Sequence, residues 1–141
     1  MNTSIQGQKG ISLLEALLGM LIFSIGILAV VGLQITAVRA VTESKYRMDA
    51  SFLANQVIGE MWSNRNVLAN FDYAGGTPPS VLTTWVAKVD ATLPGTVDNP
   101  PVIDVGAGNV VTVTIFWQHP EEAALSPAPP PHRYDAIASI N

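Results

Sequence analysis

Apolar residues dominate positions 11–38, and one carboxylate, Glu15, sits near the start of that run. No other ionisable residue occurs until Arg39. As a helix, residues 16–38 would span roughly 35 Å, enough to cross a hydrocarbon core. An unpaired carboxylate in such a setting costs about 2.5–3.5 kcal/mol on insertion scales, which makes Glu15 a candidate functional residue. From Gln34 onward the pattern becomes amphipathic. Ala50, Leu53, Val57 and Met61 recur at three- and four-residue intervals, while Glu43, Lys45, Arg47, Asp49 and Asn55 take the opposite, solvated side. Glu43 and Arg47, four apart in the favourable order, can pair on that solvated face. With no proline to interrupt it, 11–64 reads as one helix about 80 Å long. Gly19, Gly26 and Gly32 are tolerable in a membrane helix and are candidates for close helix–helix packing.

Asn64-Arg65-Asn66 begins the exit, and Gly75-Gly76-Thr77-Pro78-Pro79 forces a loop. Ser80 is then a candidate N-cap for a short second helix, with Leu82, Trp85, Val86, Val89 and Leu93 as its apolar stripe. Trp85 is expected in the core. Two β-branched runs, 102–105 and 110–118, flank Gly106-Ala107-Gly108-Asn109 and predict a hairpin. In the second run Val111, Val113, Ile115 and Trp117 share one face. Positions 120–132 form a loop stiffened by Pro129-Pro130-Pro131. Positions 133–140 alternate weakly and predict a third strand, closing an antiparallel sheet against the amphipathic half of the long helix. The expected class is therefore α+β.

Composition narrows the function. Across 141 residues Lys+Arg is 7 and Asp+Glu is 11, a net charge of -4. A chain without a basic stripe is a poor direct ligand for nucleic acid. Without cysteine there is no disulfide, lipid-modified cysteine or thiolate metal site. His119 and His132 flank the proline loop and could approach each other, with Glu121, Glu122 and Asp135 nearby, but the spacing matches no zinc pattern. Asp90, Asp98 and Asp104 lie too far apart for a contiguous calcium loop. No phosphate-binding glycine loop or serine nucleophile motif occurs. The expectation is a non-enzyme with no metal and no cofactor.

The string Lys9-Gly10-Ile11-Ser12-Leu13-Leu14-Glu15 resembles the processing signal of type IV prepilins. The longer match through Ala16-Leu17-Leu18, Ser24-Ile25-Gly26-Ile27-Leu28 and Gly32-Leu33-Gln34 resembles the minor pilins of that superfamily. Ile11 stands where phenylalanine is commonest, and Gly32 where many major pilins carry proline. The resemblance implies a leader over 1–10, removed by a prepilin peptidase between Gly10 and Ile11, and N-methylation of Ile11. It implies a membrane or filament-core half-helix over 11–38 and a periplasmic domain over 39–141, in the lollipop layout of pilins. Glu15 would pair with the N-terminal amine of a neighbouring subunit. The implied partners are other minor and major pilins, the peptidase/methyltransferase and the inner membrane. The implied place of work is the bacterial inner membrane and then the pilus, in assembly, twitching motility and adhesion.

Three alternatives stay open. A minor pseudopilin of a type II secretion system shares the N-terminal motif. A generic signal anchor would tether a binding module. A cleavable secretory signal would end at Val38-Arg39-Ala40, although the apolar run is long for one and Glu15 has no place in it. Charge bias gives no help with orientation. Lys9 precedes the run and Arg39, Lys45 and Arg47 follow it, which favours the reverse of the pilin orientation, so the latter rests on the resemblance.

Overall fold

The structure, a computed structural model, describes residues 8–141, with side chains from residue 11 onward. The first seven positions of the expected leader lie outside the described residues. The element order is α1 (Gln8–Ser63), a 3₁₀ segment (Arg65–Phe71), α2 (Thr83–Thr92), β1 (Val102–Val105), a 3₁₀ turn (Ala107–Asn109), β2 (Val110–Trp117), α3 (Pro120–Ala123) and β3 (His132–Ser139). The fold is α+β, with one long apolar N-terminal helix, a short second helix and a three-stranded antiparallel sheet in the order β1-β2-β3. Two compact units divide the chain, Met1–Thr42 and Glu43–Asn141.

In the first unit α1 is long and apolar enough to cross a membrane, and none of its most apolar window is buried. This is consistent with a single-pass membrane anchor. Beyond its first turn a helix satisfies its backbone donors internally, as a bilayer requires. Hydroxyls in and just beyond the apolar run are satisfied the same way. Ser24 Oγ donates to the Met20 carbonyl at 2.7 Å, Thr36 Oγ1 to Gly32 at 3.1 Å and Thr42 Oγ1 to Val38 at 2.9 Å.

In the second unit the apolar stripe of α1 is the floor of the core. Ala50, Leu53, Ala54, Val57 and Met61 are buried with Leu82, Trp85, Val89, Ile103, Val111, Val113, Ile115, Trp117 and Ile140. The stripe expected for the second helix is buried throughout, from Leu82 to Leu93. Trp85 Nε1 donates to the Leu53 carbonyl at 2.9 Å, so its ring fills the core and its one polar atom is satisfied. Alternation in β2 is strict, with the 111, 113, 115 and 117 side chains buried and their neighbours half-buried or exposed. β3 pairs along the whole of β2, from Val110↔Ser139 to Trp117↔His132. It begins and ends one residue earlier than its sequence pattern suggests.

Four local features differ from the expectation. Ser80 does not cap α2. The helix starts at Thr83 after Leu82, because Pro78-Pro79 leads into a turn in which Leu82 N and Thr83 Oγ1 both bond the Pro79 carbonyl. The exit after α1 is a 3₁₀ segment that buries Leu68 and Phe71, and Tyr73 then bridges to Ile103. Part of the proline loop is helical, at Pro120–Ala123. Glu43 turns toward the sheet, and the surface pair on this stretch is Lys45–Asp49 at 3.0 Å.

Gly95 positions the end of β2. Its φ is +75°, and a Cβ there would lie 3.0–3.1 Å from Gln118 backbone and side-chain atoms. The close approach lets Gln118 N donate to the Pro94 carbonyl at 3.0 Å, which fixes the chain just before His119.

Candidate functional site

The residues singled out in the sequence fall in two places. Gly10 and Ile11 lie in the first turn of α1, with Ile11 exposed. Glu15 is also exposed, one turn further on, in helical backbone. It puts a carboxylate among Leu13, Leu14, Leu17 and Leu18, all of which present their side chains outward. At Gly19, Gly26 and Gly32 an added Cβ would meet nothing within 4 Å, so these glycines answer to no packing constraint among the described residues. A shallow apolar groove runs over Gly26, flanked by Phe23, Ile27, Val30, Val31 and Gln34.

The second place is a polar cluster at the end of the sheet, within the second unit. Glu43 enters it from α1, His119 from just beyond β2, and His132 as the first residue of β3, opposite Trp117. Glu43 Oε2 accepts from Trp117 Nε1 at 3.2 Å and lies 3.1 Å from His119 Nε2. Glu43 Oε1 lies 3.5 Å from His132 Nδ1, and the other ring nitrogen of His132 is 3.1 Å from Glu122 Oε2 on α3. The His132 ring stacks on Trp117 with centroids 5.8 Å apart and meets the His119 ring edge-on at 5.7 Å. Tyr46 closes the other side of His119 at 5.2 Å.

Glu43 titrates below an ordinary glutamate. Burial alone would raise its pKa. The Trp117 and His119 hydrogen bonds and the charges of His132 and His119 together outweigh that effect. Chemically, the carboxylate ties the start of the domain portion of α1 to the open end of the β2–β3 pair.

The sequence brought the two histidines together but left out Glu43, which it placed on the solvated helix face. No local signal marks that residue, because its partners lie 74 to 89 positions further along the chain. Comparison with known protein families, with curated proteins and with solved structures gives no match to this chain.

Proposed function

We propose that this chain is a minor type IV pilin, of the PilV group of pilus modification proteins, that helps initiate pilus assembly with other minor pilins. The observation that carries the reading is the placement of Glu15. It is the one ionisable residue of the apolar run 11–38, five residues after Gly10, on a segment whose large apolar side chains are all exposed. In a bilayer that acid needs a cation, since desolvation penalises the free charge and an opposite charge restores it. The next base along the sequence, Arg39, is about 36 Å further along the helix. Cleavage between Gly10 and Ile11 would create one at membrane depth, the α-amino group of Ile11. A neighbouring subunit's amine on Glu15 would set the axial register of subunits as they leave the inner membrane. The 39–141 portion would then stand in the periplasm and later on the filament, in support of twitching motility and adhesion.

The test is the mature N-terminus of protein extracted from membranes, read by mass spectrometry. The expected species begins at Ile11 with a methylated amine. An intact Met1, or a start at Val41, would contradict the reading. Deletion should reduce surface pili. Normal piliation with blocked export of a folded enzyme would transfer the chain to a type II secretion system.

A further inference from the structure

We propose that Glu43, His119 and His132 form a binding site for one zinc ion. The inference is independent of the pilus reading, since it rests on the second unit alone. Two imidazoles and a carboxylate are a ligand set that zinc takes with its fourth position open to water. They suit it better than magnesium or calcium, which favour all-oxygen sites.

The geometry is close to what zinc needs. Ligand distances of about 2.0–2.2 Å in a tetrahedron place neighbouring ligand atoms about 3.4 Å apart. Glu43 Oε2 to His119 Nε2 is 3.1 Å, and Glu43 Oε1 to His132 Nδ1 is 3.5 Å. One ligand atom from each of the three residues can be chosen so that all lie within 4.8 Å of one another. No edge of that set therefore has to close by more than about 1.4 Å, a ring rotation for partly exposed side chains.

The surroundings are those of a held ligand set. With Nδ1 facing Glu43, His132 presents Nε2 to Glu122 at 3.1 Å. A carboxylate on the far nitrogen fixes the tautomer and orientation of a metal-bound imidazole and raises its basicity. Trp117, buried and paired with His132 across the sheet, supports that ring by stacking and holds Glu43 through Nε1. The ligands come from three elements, 76 and 13 residues apart in sequence, so no contiguous motif announces the site.

The experiment uses the full chain in detergent, without a histidine tag, titrated with Zn²⁺ in competition with a chromophoric chelator. One equivalent should bind. His119→Gln and His132→Gln should each weaken binding by about 100-fold or more, and Glu122→Gln by about 10–100-fold. Lys45→Gln, on the exposed surface beside the cluster, should bind as the unsubstituted chain does. Near-UV circular dichroism of the metal-free variants checks that their packing is intact, and Co²⁺ bound by the unsubstituted chain should give the intense visible bands of a four-coordinate site. Failure of the unsubstituted chain to take up Zn²⁺, or retention of its full affinity in either histidine variant, would overturn the proposal and leave the cluster as an ionic clamp only.

Discussion

From residue 11 to residue 41 the large apolar side chains of α1 are exposed on every side, Leu17 by 64%, Phe23 by 70% and Leu28 by 72%. Nine residues beyond, the same helix begins to bury Ala50, Leu53, Val57 and Met61, each exposed by 1% or less. The backbone is α-helical in both stretches, so helix formation does not separate them. The difference lies in what covers the side chains. The second stretch has its own sheet and second helix, and burial there supplies folding stability at roughly 25 cal/mol per Å² of apolar surface. The first stretch has no cover among the described residues, and a helix apolar all round is stable in lipid or within a larger assembly.

Truncating side chains in the two stretches should sharpen that contrast most. Trp85→Ala removes a buried ring and should cost the domain about 3–5 kcal/mol in denaturant unfolding. Leu28→Ala, exposed, should leave the same transition within about 0.5 kcal/mol. If Leu28→Ala destabilised the domain comparably, the division at Thr42 and Glu43 would be wrong.

Gly95→Ala tests how tightly the domain holds the end of β2. A residue with a Cβ is strained at φ +75° and would press on Gln118, so a loss of about 1–3 kcal/mol is expected in thermal or denaturant unfolding. An unchanged midpoint would show that the Pro94–Gln118 contact does not constrain the strand.

The smallest effect concerns pH. The Glu43 pKa is lowered by folding, so its contribution is fully present above the unfolded glutamate value and is lost as pH falls through the lower folded value. In metal-free protein, Glu43→Gln should therefore show a shallower fall in Tm on acidification than the unsubstituted chain. Parallel curves would remove Glu43 from the acid response.

Where the structure matched the sequence, periodicity carried the information. The stripes on α1 and α2, the glycine turn at 106–109 and the strict alternation of β2 each express local burial, which a single sequence records. Boundaries set by competing local bonds were less legible. Ser80 has the right side chain for a cap, but the turn at Pro79 delays the helix past it. Leu68 and Phe71 have no helical or strand period, so their burial under a 3₁₀ segment left no pattern. Glu43 was hardest, since a charged residue beside Lys45 and Arg47 reads as surface until the sheet brings Trp117, His119 and His132 to it. The roles proposed for Gly10, Ile11 and Glu15 involve other molecules, which no pattern of burial within one chain records.

The uncovered stretch is the heart of the proposed function, and Glu15 is its most exacting point. Glu15→Val removes the charge and makes the segment easier to insert. Crosslinking or co-purification with the proposed partner pilins measures whether the variant enters their complex. The expected result is a chain cleaved at Gly10 and membrane-inserted as usual, yet absent from the complex. Incorporation at the unsubstituted level would contradict pairing between Glu15 and a neighbouring amine.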